Sequence, residues 1–366
     1  MALVPLSQDP DAVHELDAEL VRLGASHDAS PRFPSNSLDL LAASGLHRRF
    51  APIQSGGEEF ATLEDRMHAL FDDLRRVGRA DLSVGRLFEG HVNALALFDW
   101  YGSPDQKAWL GAVLDRGGWF GVWATEAQPG VRILGDRLTG AKMFATGAGG
   151  LDFAIVTAQP DEGARRLVVV PADDPARADL TGWRVRGMRA TVSGRYDLDG
   201  LAADSARCVG APGDYDREPR FTAGAWRFLA VQLGGIEGLV LALRDALSET
   251  ARADPLQRAK FAQSAIAART AFLWVREAAD RATREAPDAA DVARAARGVV
   301  ERCALDAMEL AARAVGTRSA FDGERLDKII RDLSLYLRQA APDHARDVAA
   351  VSWLDRDIWG GDDALW

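Results

Sequence analysis

Apolar residues recur at three- and four-residue spacing over 12–23, 38–44, 61–77 and 82–101, which predicts helices through most of the first third of the chain. Pro34-Ser35 reads as the start of the second helix and Gly45 as its stop. The same rhythm returns from Phe221 onward in Ala-rich segments at 223–251, 255–285, 289–315 and 326–339, the last followed by a break at Pro342. Helices with such short connections predict a bundle. Between the two helical parts the rhythm changes to short apolar bursts divided by Gly and Thr. Trp119 to Ala124 reads as a buried strand delivering Thr125 and Glu126 at its end, and Arg137 to Thr146 alternates around a Gly140 turn. Residues 151–158 read as another strand, entered through Gly147, Gly149 and Gly150, and 167–171 and 181–185 add two more. Many short strands with turn signals suggest a small barrel or sandwich. The expected fold class is therefore α+β and multi-domain: an N-terminal helical domain at 1–117, a central β-barrel or sandwich at 118–215 and a C-terminal four-helix bundle at 216–350. A Trp-rich tail at 351–366 is too short to bury its own apolar side chains and is expected to dock on the body or on another subunit.

Composition narrows the partners. A chain of 366 residues can build sizeable cores, and 48% hydrophobic with 27% charged residues is ordinary for a globular protein. The formal net charge of −10, with no basic run, argues against nucleic acid or an anionic membrane as a partner. Cys208 and Cys303 lie far apart without metal-ligand spacing, which predicts neither a disulfide framework nor a metal site and fits a reducing cytoplasm. No signal peptide is read at the start and no apolar stretch reads as long enough to span a bilayer, so membrane insertion is not expected.

Candidate chemistry concentrates in the strand region. Thr125 and Thr146 fall near strand ends beside glycines, where hydroxyl and backbone N–H groups can face a flat polar ligand or simply serve as strand threonines. His91, on a predicted helix just ahead of the strands, and Glu237, an acid among glycines on a C-terminal helix, are each either a satisfied structural residue or a proton-transfer group. There is no phosphate-loop, paired-CxxC, zinc-protease or nucleophile-elbow motif.

Thr125-Glu126 followed by Leu138 to Thr146 resembles the central domain of the acyl-CoA dehydrogenase superfamily of flavoproteins, where a TE and a G-x-K-x-[WF]-I-[TS] motif flank the isoalloxazine ring. Gly187 to Thr191 with Tyr196 to Asp199 is similar to that family's GMRAS signature, and Arg331-Asp332 with Tyr336 to its last conserved helix. The order is kept over nearly the whole chain. The resemblance implies FAD as cofactor, with Val122, Ala124, Thr125, Phe144 and Thr146 lining the flavin ring and Thr146 near its N5. It also implies Gly316 on the adenine side, His344 where a monooxygenase branch uses a histidine, a small-molecule or acyl-thioester substrate, and a homodimer or homotetramer.

Several features depart from the family pattern. The two positions where relatives carry a catalytic glutamate fall at Ala340 and around Ala225-Trp226, so no catalytic residue is assigned. The loop Ala127-Gln128-Pro129-Gly130 lacks the usual G-S-D, Val315 to Ser319 keeps one glycine of three, and the expected arginine aligns with Glu249, with Arg252 a short shift away. Three functions remain open: an FAD oxidoreductase with a non-standard base, a flavin monooxygenase using oxygen and externally reduced flavin, and a flavin-free binding or scaffold homologue. A carboxylate above N5 would mark the first. A histidine–serine pair with room for oxygen would mark the second.

Overall fold

Side-chain caps set the helix ends that the apolar rhythm alone leaves loose. The computed structural model describes residues 10–126, 128–339 and 341–354. The first part comprises α1 (Pro10–Ala29), α2 (Ser35–Ala43), α3 (Leu46–Arg49), α4 (Leu63–Ala80), α5 (Leu82–Tyr101) and α6 (Pro104–Leu114). Asp81 starts α5 by accepting the N–H of Val84 at 2.9 Å. Ser103 and Gln106 form a reciprocal capping box that starts α6, with Pro104 at its first position.

The strands follow as β1 (Phe120–Trp123), β2 (Arg132–Leu134), β3 (Arg137–Thr139), β4 (Ala141–Ala145), β5 (Phe153–Ala158), β6 (Arg166–Pro171), β7 (Ala178–Asp179), β8 (Gly194–Asp197) and β9 (Cys208–Val209). They form one sheet in the order β1-β5-β6-β9, a second in the order β4-β8-β7, and the hairpin β2-β3. β1 runs parallel to β5 with Val122 opposite Ile155, while β5 and β6 are antiparallel. The strand expected over 181–185 is a turn. Asp179 accepts both the N–H of Thr181 at 3.0 Å and its hydroxyl at 2.6 Å, a local bond that competes with sheet pairing.

Residues 10–66 with Ala80–Arg217 form one compact unit, and Met67–Arg79 with residues 218–354 form another. In the first, α5 and α6 cover the β1-β5-β6-β9 sheet. Leu95, Phe98, Leu110 and Val113 close on Phe120, Ile155, Leu167 and Val209, all buried.

The second unit contains α7 (Arg220–Ala223), α8 (Trp226–Ala246), α9 (Glu249–Ala253), α10 (Pro255–Thr283), α11 (Ala289–Val315), α12 (Arg325–Tyr336) and α13 (Pro342–Leu354). α10 and α11 pack along each other and against α8. The helix expected over 223–251 breaks at Leu247 because Ser248 caps a new one, accepting the N–H of Ala251 at 3.2 Å. Pro342, read as a break, instead occupies the first position of α13. Contrary to the sequence reading, Arg220–Ala246 is long and apolar enough to cross a membrane, but 67% of its apolar window is buried as a core helix would be. Cys208 and Cys303 are both free and buried. The expected tail docking falls, from residue 355 on, outside the described residues, as does Ala340.

Candidate functional site

Thr125 and Phe144 are brought together by the way β4 crosses the end of β1. Glu126 bridges antiparallel to Lys142, and Met143 donates its N–H to the Thr125 carbonyl at 3.0 Å. Opposite β8 the register of β4 shifts between Lys142 and Ala145, a bulge that re-aims the side chain between them. Phe144 accordingly sits at φ 52° and is 63% exposed, unusual for so large an apolar side chain. Val122, Ala124 and Thr146 are half-buried and Thr125 is exposed, so five of the sequence-predicted residues share the ends of two adjoining strands.

Thr146 is fixed from two sides. Its carbonyl accepts the indole N–H of Trp123 at 3.0 Å, and its hydroxyl lies 3.2 Å from that of Ser193. Ser193 is in turn 2.9 Å from the Thr191 hydroxyl, which donates to the Met188 carbonyl at 2.8 Å. Sequence reasoning singled out Gly187 to Thr191 but missed Ser193. The tight turn that carries it under Thr146 depends on Met188 at φ 53° and Val192 at φ 39°, which no residue type there announces.

Beneath the strand ends lies an ion pair between a buried lysine and a half-buried glutamate. Lys142, 0% exposed, donates to the Glu126 carboxylate and to the Thr157 hydroxyl at 2.8 Å. Burial pulls its pKa down to about 8, against the upward pull of Glu126. The other Glu126 oxygen accepts the Val131 N–H at 3.2 Å and so ties the start of the following strand to the lysine.

The remaining candidates are engaged elsewhere. His91 is fully buried, its Nδ1 accepting the Phe120 N–H at 3.0 Å and its Nε2 bonding the His47 carbonyl at 2.6 Å. Both ring nitrogens are committed, and burial pushes the pKa down to about 3, so His91 is a neutral structural link. Glu237 of α8 accepts from Arg75 of α4 at 2.9 Å, with Arg79 at 3.6 Å, and burial raises its pKa. Arg252 turns back to cap α8, donating to the carbonyls of Leu247 at 3.0 Å and Arg244 at 2.6 Å. In the second unit, Gly316 ends α11 with φ 72°, and His344 lies exposed in the first turn of α13.

The strand-end group therefore offers an exposed aromatic wall, a hydroxyl held by a second hydroxyl, and a firmly anchored backbone. These suit the edge of a flat heteroaromatic ring whose polar atoms need directed partners. Among the described residues named here, Glu126 is the one carboxylate, and it is paired with Lys142. Among the described residues no group of three or more His, Cys, Asp or Glu is placed to hold a metal.

No family model matches the chain. Among curated proteins, a dibenzothiophene monooxygenase of Mycolicibacterium goodii is 29% identical over 192 residues, covering 47% of this chain and 44% of that protein. The Bacillus subtilis (strain 168) protein YdbM, whose name places it among acyl-CoA dehydrogenases, is 24% identical over 213 residues, 52% of this chain and 53% of that one. The matches thus span about half the length of these relatives. Among solved structures, FMN-bound dibenzothiophene monooxygenase TdsC of Paenibacillus sp. A11-2 superposes with a TM-score of 0.82 at 21% identity, covering 94% of this chain and 97% of that one.

Proposed function

We propose that this chain is a divergent member of the acyl-CoA dehydrogenase superfamily and that it works as a flavin-dependent monooxygenase on a small aromatic substrate bearing a ring heteroatom. The observation that carries the reading is the strand-end group of Thr125, Phe144 and Thr146, which keeps a place for the ring while offering no carboxylate to remove a substrate proton. Desaturation of an acyl thioester needs that carboxylate, and Glu237 of α8, the acid among glycines singled out in the sequence, is held by Arg75. Oxygen transfer does not need it.

Bound reduced flavin would supply the two electrons by which oxygen gives one atom to the substrate and the other to water. The protein's own part is positioning. Phe144 walls the ring, Thr125 and Thr146 hold its polar edge, and the Lys142–Glu126 pair keeps the strand ends and the start of the following strand in place. FMN suits the chain better than FAD, because Arg252 is spent on capping α8 and the segment Val315 to Ser319 has lost two glycines that relatives use on the adenine side. A cytoplasmic homodimer or homotetramer completes the reading, supported by Leu256, Ile266 and Leu273 standing exposed along α10. We take the domain layout as helical, β and helical-bundle parts in that order.

The test is anaerobic titration with reduced FMN and reduced FAD, followed by oxygen with dibenzothiophene or indole. Substrate-dependent formation of an oxygenated product, with FMN preferred, is the expected result. Bleaching of bound flavin by an acyl-CoA without oxygen would favour the dehydrogenase reading instead. A protein that takes up neither flavin would leave the scaffold reading.

A further inference from the structure

A cavity of the first compact unit shares no residue with the strand-end group. It holds about 350 Å³ between the turn at Ile53–Ser55, the segment 56–62, the first turn of α4 and the end of α5. That is the small end of the range for ligand pockets, about 300–1,000 Å³. Its walls are tied in place by the protein itself. Gly57 runs so close to Ala51 that a Cβ would stand 2.0 Å from the Ala51 carbonyl oxygen, and its N–H donates to the Pro52 carbonyl at 3.2 Å. The Ser55 hydroxyl donates to the Lys107 carbonyl at 2.7 Å, and the Lys107 ammonium donates to the Asp99 carbonyl at 2.9 Å. Phe60 stacks on the buried ring of Phe50 with centroids 5.8 Å apart. Ile53 and Leu63, which also line the cavity, are 62% and 69% exposed, so apolar surface remains there for a ligand to cover.

Two opposite charges lie side by side in the same lining. Arg66 donates from one terminal nitrogen to Asp99 Oδ2 at 2.7 Å and from the other to the Phe50 carbonyl at 2.7 Å. These bonds use two of the five guanidinium N–H groups, and among the described residues Asp99 Oδ1 accepts none. Unused donors and an unused acceptor therefore adjoin each other on two half-buried side chains. Glu58, the other acid of the lining, is held by Arg49 at 2.7 Å, so the charges cancel there too. A lone cation would meet Asp99 but face the guanidinium, and a lone anion would meet Arg66 but face the carboxylate. A ligand carrying both charges close together answers both. We propose that the cavity binds a free α-amino acid with an apolar side chain, its carboxylate on Arg66, its ammonium on Asp99 and its side chain against Phe60, Ile53 and Leu63. The inference does not rest on the flavin reading.

The experiment is calorimetric titration of the unaltered protein with L-phenylalanine, phenethylamine and 3-phenylpropionate, the last two keeping the ring but lacking the carboxylate and the ammonium respectively. Phenylalanine should bind roughly tenfold more tightly than either, the worth of one charge-assisted hydrogen bond. Asp99→Asn should weaken phenylalanine and phenethylamine by roughly tenfold and leave 3-phenylpropionate unweakened. Ala61 lines the cavity from an exposed position, so Ala61→Trp fills the space without disturbing the core and should abolish binding of all three. Unfolding midpoints are measured alongside. If Asp99→Asn does not fold, the three-ligand comparison and the Ala61 variant still decide the matter. Absence of saturable phenylalanine binding to the unaltered protein overturns the inference. Equal affinity for the three ligands overturns it as well, because the cavity would then recognise the ring alone. Binding that persists unchanged in Ala61→Trp does so too, by placing the amino acid elsewhere.

Discussion

His91 accepts the backbone N–H of Phe120 on Nδ1, which leaves its Nε2 proton for the carbonyl of His47, and so one neutral imidazole ties α5, the start of β1 and the α3 helix together. Its rings' neighbours, His47 and Trp119, enclose it with centroids 6.3 and 4.5 Å away. Replacing His91 with Leu strands a buried donor and a buried acceptor and should cost about 2–4 kcal/mol of stability near pH 7. The pH dependence has a definite sign. The folded pKa of about 3 lies below the unfolded value of 6.5, so the unfolded chain takes up the proton first and stability drops as pH falls from 6.5 toward 3. Denaturant unfolding at several pH values should therefore show a gentler acid slope for His91→Leu than for the unaltered protein.

Much of this was legible in the sequence, and what was not has a physical reason. Helix periodicity located α5 and α11 to the residue, because both carry long apolar faces and α11 meets Gly316 at its end. The strand-end placement of Thr125 and Thr146 was legible because glycines and the change from helical to strand rhythm flank both. The ion-pair partner of Glu237 was not, because Arg75 is 162 positions away and no local pattern couples them. Ser193 escaped for a related reason. Its role arises from two left-handed residues, Met188 and Val192, of types that ordinarily avoid that conformation, so propensity pointed the wrong way. The Thr181 turn misled in the opposite sense, a β-favouring run captured by the carboxylate two residues before it.

Glu237 offers a direct separation of structural from catalytic acid. Glu237→Gln keeps the shape but removes one of the two carboxylates that pair with Arg75, the other being Asp72 at 3.0 Å, while Arg75 also lies over the rings of Phe71 and Phe272. The expected loss is about 2–3 kcal/mol in unfolding free energy. Turnover at a temperature well below the midpoint should stay within about a factor of two, with an unchanged pH profile. A lost acidic limb in that profile would make Glu237 the missing base.

Lys142 has the opposite problem, a cation kept out of water by one carboxylate. Glu126→Ala leaves the ammonium unpaired at 0% exposure and should destabilise by about 3 kcal/mol at pH 6. In the variant the folded lysine loses its proton at a lower pH than the value of about 8 in the unaltered protein. Between those two pKa values the unaltered protein binds the extra proton in its folded state, so its advantage shrinks as pH rises and is mostly gone above 8. Unfolding curves at pH 6 and 9 measure this directly, and a penalty that grows with pH would contradict the assignment.

Phe144 combines exposure, backbone strain and a place at the strand ends, which lets function and stability be pulled apart. Its ring is 63% exposed, so truncation to Ala removes little buried surface and should change stability by less than about 0.5 kcal/mol. At φ 52° any residue with a Cβ is strained, and Phe144→Gly should be more stable than Phe144→Ala by about 1 kcal/mol. Both variants lose the aromatic wall and should bind FMN roughly tenfold more weakly, in keeping with one lost ring contact. Thermal midpoints and flavin titrations on the same samples test both halves. If Gly stabilises while FMN affinity is unchanged in both variants, the strain belongs to the fold alone and Phe144 does not face the ring. If affinity falls together in the two variants whatever their midpoints, the strained conformation is there to hold an aromatic side chain where a structural role would never put one.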